Sequence, residues 1–369
     1  LAAAVAAARP DALSHLLFAQ RLTALLGARA IDAAGAALPP AFHTAVEQAA
    51  AANRARGLAL EALASHVASR LEAAGIPTLP LKGPFAGRRL HGDYGARAAN
   101  DLDLLVDPAR LDDAVAVVTG LGYRRDPVDD LTEDGRPDIH HTMRDPRGRL
   151  TRIELHWRVH WYEGEFSSDM LARSAPGGSG LREPTPADEL AALLLFYARD
   201  GFFGLRGAAD VAAWWDVHGE TLGAAPLETH WRDYPALRRP LAAAAAAAER
   251  IVGVPADRIL PPDAQRDGRA RLAVQLASWS GAGELDQLRC DITLVDLLLS
   301  PPGDLRPALR RHVLLTPEKL GSTYHLRPGR SLRRAGWRVL HPPKMAARYL
   351  LGLGGAVRRG SGRIGASSL

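Results

Sequence analysis

The run Asn100-Asp101-Leu102-Asp103-Leu104-Leu105-Val106 constrains this chain more than any other segment. Two acids spaced by one residue and followed by an apolar stretch read as a strand with both carboxylates on one face. Side by side, the two charges repel unless a cation sits between them. Oxygen donors of this kind suit Mg²⁺, which takes carboxylates together with substrate phosphates. The pair therefore points to metal-dependent phosphoryl or nucleotidyl chemistry.

The flanking segments extend that reading. Upstream, the apolar run Ile76 to Leu81 leads through Lys82 to Gly83-Pro84. This pattern predicts a strand, a tight turn and a helix over 84–91. A helix N-terminus there offers free N–H groups to a phosphate. Downstream, Arg152-Ile153-Glu154-Leu155-His156-Trp157 alternates like a half-buried strand. Glu154, His156 and Arg158 fall on one face, and Ile153, Leu155 and Trp157 on the other. Glu154 is thus a candidate third carboxylate. His156, on the same face, is a candidate catalytic residue, as a general base or as the group that orients the acceptor. Lys82 is placed to contact a phosphate. Arg97 lies in a loop with Gly92 and Gly95, four residues before Asp101, where a bidentate guanidinium could swing over a triphosphate.

Taken together, Leu81-Lys82-Gly83, Arg97, Asp101-Leu102-Asp103-Leu104-Leu105-Val106, Leu121-Gly122-Tyr123 and Glu154-Leu155-His156-Trp157 resemble the uncharacterised bacterial nucleotidyltransferase family, within the DNA polymerase β-like nucleotidyltransferase superfamily. The likeness covers residues 45 to 165 best. A weaker echo follows at Gly204-Leu205-Arg206-Gly207-Ala208-Ala209-Asp210. The resemblance implies Mg²⁺ (or Mn²⁺) held by Asp101, Asp103 and Glu154, and an NTP such as ATP bound near Lys82, Gly83, Arg97 and Arg206. One departure stands out. The phosphate-binding turn of the wider superfamily carries a Ser, whereas this chain has Gly83-Pro84 and no hydroxyl there.

At 369 residues the chain has room for two or three domains. The single Cys290 excludes an internal disulfide framework and a cysteine-based zinc site, and fits a cytoplasmic location. No stretch is apolar enough to predict a transmembrane segment. The opening Leu1 to Ala8 lacks the basic region of a signal peptide. Charge is unevenly spread. From His325 to Leu369 there are ten Arg and Lys and no acid, while the whole chain carries +5, so residues 1–324 carry −5. A basic tail of this kind attracts RNA or an anionic surface, or is simply solvated.

The expected fold class is α+β, with a small mixed-sheet nucleotidyltransferase core flanked by helical regions. Residues 1–75 form the N-terminal helical region, in which Leu60, Leu63, Val67 and Leu71 recur at helical spacing. Residues 76–165 form the α/β core, with strands near 77–82, 101–106, 138–144 and 150–158 and helices over 84–91 and 109–120. Asp107-Pro108 should cap the second helix, and Asp145-Pro146-Arg147-Gly148 should turn a hairpin. Residues 166–300 form a helical domain making the other cleft wall. Thr185 is its first N-cap, and Gly253 ends an Ala-rich helix. Residues 301–369 form a basic, partly flexible end. Within the helical region Arg206 and Asp210 are placed to pair at i,i+4. His140, His141, His156 and His160 do not predict a zinc site, because adjacent His140 and His141 point to opposite faces of a strand. Trp157, Trp161, Trp214 and Trp215 are expected in the core or an interface.

The expected activity is transfer of NMP from an NTP to an acceptor hydroxyl, on a small metabolite, a peptide or protein, or a tRNA. A catalytically weak binding module and a toxin-like transferase acting on tRNA remain as alternatives.

Overall fold

The computed structural model describes residues 9–126, 137–148, 150–177, 180–223, 225–277 and 293–324, together with 326, 332–333, 335–347 and 350. Cys290 and the Gly- and Arg-rich stretch from Gly352 onward lie outside these residues.

Three helices open the fold: α1 (Pro10–Ala19), α2 (Thr23–Ala34) and the long α3 (Pro40–Ala73). Proline stands at the first turn of α1 and α3, where its missing N–H costs nothing. Leu60, Ala64, Val67 and Leu71 recur along one side of α3 and are fully buried. Gly75, at φ 68°, lets the chain leave that helix.

The sheet follows. Its strands are β1 (Leu79–Pro80), β2 (Leu102–Leu105), β3 (Arg124–Arg125), β4 (His140–Arg144) and β5 (Ile153–His156), in the order β1-β2-β5-β4-β3. The β2–β5 pair is parallel, and the β1–β2, β4–β5 and β3–β4 pairs are antiparallel. The expected hairpin joins β4 to β5. Asp145 accepts hydrogen bonds from the N–H groups of Arg147 and Leu150, and Gly148 takes φ 63°. The strands are shorter than their sequence patterns predict. The run 77–82 gives a regular strand only at Leu79–Pro80 on the sheet edge, where a residue without an N–H is tolerated, and the Leu81 N–H still donates to the Asp103 carbonyl at 3.2 Å. The strand β3 was not foreseen, since two exposed arginines carry no strand pattern.

Register explains the sheet's two faces. Leu102, Leu104, Ile153, Leu155 and Met143 point one way, onto α3 and onto α5 (Leu111–Gly120), through Leu111, Ala114 and Val118. Each such side chain contributes about 1.5 to 3 kcal/mol when fully buried. The N-terminus of α5 is led in by a short 3₁₀ turn at Pro108–Arg110, and Asp107 Oδ1 accepts from the Ala109 N–H at 2.7 Å. The opposite face carries Asp103, Glu154, His156 and His140. A helical layer covers part of this second face.

That layer is built from α6 (Phe166–Arg173), which the sequence pattern did not predict, α7 (Pro186–Arg199), α8 (Arg206–His218), α9 (Glu228–Asp233) and α10 (Arg238–Val252). Every residue of α7 from Asp188 to Ala198 is buried, so it is the centre of the layer. Thr185 caps it as predicted, accepting from the Asp188 N–H. The alanines of α10 pack into the same core, and Gly253, at φ 74°, ends that helix. Trp214 is fully buried with its N–H on the Pro186 carbonyl, and Trp161 donates to Asp296 at 2.6 Å. Near the C-terminus the residues 335–347 are helical. There Trp337 stacks on Tyr324 at 3.8 Å, and His341 is buried with Nε2 3.0 Å from the His312 carbonyl.

Candidate active site

Parallel pairing of β2 with β5 sets Asp103 directly beside Glu154. Side chains of paired residues share a face, so two carboxylates 51 residues apart become neighbours. Asp101, two residues before Asp103, joins them through a basic residue. The Nη2 of Arg152 lies 2.5 Å from Asp101 Oδ2 and 3.0 Å from Glu154 Oε1. One cationic nitrogen thus sits between two carboxylates. Alternation along β5 places Arg152 on the Glu154 face, a signal present in the sequence that was not read as a site.

A second set of contacts surrounds Asp103. Its Oδ1 lies 3.1 Å from His156 Nε2 and 3.5 Å from Lys82 Nζ. Its Oδ2 is buried and has no hydrogen-bond partner among the described residues. Burial alone would raise the Asp103 pKa, but the Lys82 charge and the His156 hydrogen bond hold it well below the usual carboxylate range. Glu154 is likewise buried and likewise lowered, by its hydrogen bond with His156. His156 shows the converse. Burial opposes its proton, yet Asp103 and Glu154 raise its pKa above the ordinary imidazole value. His156 has no exposed surface.

His140 stands opposite His156 in the β4–β5 ladder, with ring centroids 4.6 Å apart. Burial, with the neighbouring His156 charge, pushes it down to about 3, so it is neutral near pH 7. His140, Glu154 and His156 form a trio whose ligand atoms all lie within 4.8 Å of one another. His140 and His141 do lie on opposite faces, since His141 pairs with Leu155. The meeting of His140 with His156 depends on the hairpin register, which alternation along one strand does not specify.

Lys82 ends the β1 segment with its ammonium 4.6 Å above the Phe196 ring of α7, and the Arg199 guanidinium lies 4.7 Å from that ring. Gly83 follows at φ 73° and ψ −140°, a conformation only glycine adopts freely. It precedes α4 (Pro84–His91), which spans the predicted residues. Arg97 is buried and bidentate to Asp210 of α8, with Nε to Oδ1 at 2.8 Å and Nη2 to Oδ2 at 2.9 Å. Its Nη1 lies 3.4 Å from the Gly83 carbonyl. This corrects the expected Arg206–Asp210 pair: the partner of Asp210 is Arg97, 113 residues away. Arg206 is pushed down by burial and by the Arg97 charge. It lines a small cleft with Lys82, Arg97, Phe196, Tyr197 and Phe203.

A small mixed sheet that gathers carboxylates beside a lysine–glycine turn defines a nucleotidyltransferase class of protein. Residues 6–253 match the family described as uncharacterised nucleotidyltransferase, and the chain belongs to that family. It is a nucleotidyltransferase by membership, with an NTP as substrate. No curated protein matches it. Among the described residues no helix is long and apolar enough to cross a membrane.

Proposed function

We propose that the chain moves NMP from an NTP to an acceptor hydroxyl, using Mg²⁺ or Mn²⁺ held by Asp101, Asp103 and Glu154. The observation that carries this reading is the Asp103–Glu154 register, with Asp101 reaching the same Arg152 nitrogen as Glu154. The residues fit a divalent ion. Asp103 Oδ2 is a buried oxygen with no partner among the described residues, and Arg152 holds a positive charge where the carboxylates face each other. Divalent ions in such a site neutralise phosphate charge and lower the pKa of an attacking hydroxyl.

The chain's own groups have distinct tasks. Asp101, Asp103 and Glu154 supply the oxygens. Lys82 and the first turn of α4 after Gly83 bind phosphates through charge and free N–H groups. Arg206 adds a second cation from the facing helical layer, and Arg97 fixes the Gly83 turn. His156 is fully buried and bonded to the acids, so it works by holding Asp103 and Glu154 in place. The helical layer α6 to α10 forms the second cleft wall and selects the acceptor, a small metabolite, a peptide or protein, or a tRNA end. The basic tail after His325 suits an RNA acceptor or an anionic surface.

One observation favours the weaker reading of a nucleotide-binding module: the turn has no hydroxyl, and the Arg97 guanidinium is committed to Asp210. A panel of NTPs labelled at the α-phosphate, incubated with the purified chain, Mg²⁺ and cell lysate, separates the two. Transfer predicts a labelled product with wild type and none with Asp103→Asn. Metal-dependent NTP binding without any labelled product would leave only the module.

A further inference from the structure

Glu154 presents its two oxygens to two different neighbourhoods. Oε1 faces Arg152 and, through it, Asp101. Oε2 faces two imidazoles: His140 Nε2 and His156 Nε2 each lie 3.5 Å from it. Ligands of a tetrahedral Zn²⁺ stand about 2.0 Å from the ion and therefore about 3.3 Å from one another. Both imidazole–carboxylate distances are already near that spacing, and all three ligand atoms lie within 4.8 Å of one another. Asp103 Oδ1, 3.1 Å from His156 Nε2, stands beside it as a further oxygen.

From this geometry we infer that His140, Glu154 and His156 form a binding site for a borderline divalent transition metal of the Zn²⁺ or Co²⁺ class. The chemistry of the donors decides the class. Mg²⁺ takes oxygen in near-octahedral arrangement and keeps several waters. Imidazole nitrogen suits Zn²⁺ and its neighbours in the first transition row. The strands fix all three side chains: His140 pairs with His156 across the β4–β5 ladder, and Glu154 is two residues before His156. The side chain of His140 keeps 28% of its surface exposed, which leaves a path for an ion from solvent. The inference shares Glu154 with the proposed reaction but stands without it, since it concerns ion binding alone.

The test uses the full chain and Co²⁺ alone, followed by its visible ligand-field absorption. Wild type should bind one Co²⁺ more tightly than Mg²⁺, with Zn²⁺ displacing it. Both His140→Ala and His140→Gln should weaken Co²⁺ binding about tenfold or more. His66→Ala, which removes an exposed imidazole on α3, should leave it unchanged. Asp101→Asn, on the Oε1 side, should also leave Co²⁺ binding unchanged while weakening metal-dependent NTP binding. Failure of the nucleotidyl reading alone would appear as intact Co²⁺ binding with no effect of Mg²⁺ on NTP. Wild-type Co²⁺ binding no tighter than Mg²⁺, or either His140 variant binding like wild type, would overturn the site. So would loss of Co²⁺ binding in Asp101→Asn, which would put the ion between the carboxylates instead.

Discussion

Asp103 on the sheet and Asp188 at the start of α7 are both buried, and both are held in the charged form. They differ in how completely they are bonded. Asp188 Oδ1 accepts from Arg173 and His230 at 2.7 and 2.8 Å, and Oδ2 from Arg173 and Thr185 at 3.1 and 2.8 Å. Asp103 uses Oδ1 for His156 and Lys82 but leaves Oδ2 without a partner among the described residues. A buried acceptor left open costs about 1 to 3 kcal/mol. A saturated carboxylate stabilises a fold. An open one, beside Glu154 and Asp101, keeps an oxygen free to accept, which is what the proposed ion would use.

The sharpest way to break this contrast is to neutralise each acid in turn. Asp103→Asn should lower transfer at least about 100-fold, because metal-held charge supplies several kcal/mol to the transition state. Its midpoint in a urea melt should fall less than that of Asp188→Asn, since fewer bonds to the carboxylate are lost, those to Lys82 and His156. A strong fall in that midpoint would make Asp103 structural. Asp188→Asn should show the reverse, losing about 3 kcal/mol of stability as Arg173 and His230 lose their shared acceptor. A urea melt measures it, and an unchanged midpoint would erase the distinction. Arg97→Lys should cost about 1.5 kcal/mol, because an ammonium cannot reproduce the two-point contact with Asp210.

pH separates the two sites further. Burial works against the Asp188 charge, but His230, Arg173 and Thr185 lower its pKa below the ordinary value. Its contribution to stability is complete above the ordinary carboxylate range and is lost as pH falls through the lowered value. His156 has a raised pKa, so its contribution is complete below the ordinary imidazole value and is lost as pH rises through the raised one. Stability profiles of Asp188→Asn and His156→Gln should therefore converge on wild type at opposite ends, the first at acid pH and the second towards alkaline pH. Two profiles converging on wild type at the same end would contradict the assignment.

Much of this was legible from local pattern. Alternation placed Asp101 and Asp103 on one strand and Glu154 and His156 on another, and Gly83-Pro84 marked the start of α4. What could not be read was any partnership set by topology. The parallel register that joins Asp103 to Glu154 requires knowing that β5 lies beside β2. The i,i+4 rule suggested Arg206 for Asp210, and tertiary packing chose Arg97, which brings a buried bidentate fork that a surface helix pair does not match.

The Arg97 contacts have a mechanical consequence. One guanidinium grips Asp210 on α8 with two nitrogens and touches the Gly83 carbonyl with the third. It works as a tie rod between the helical wall and the hinge of the lysine–glycine turn. Any tilt of α8 pulls on the backbone just ahead of α4, so a shift of the helical layer is felt at the turn through three nitrogens of a single side chain.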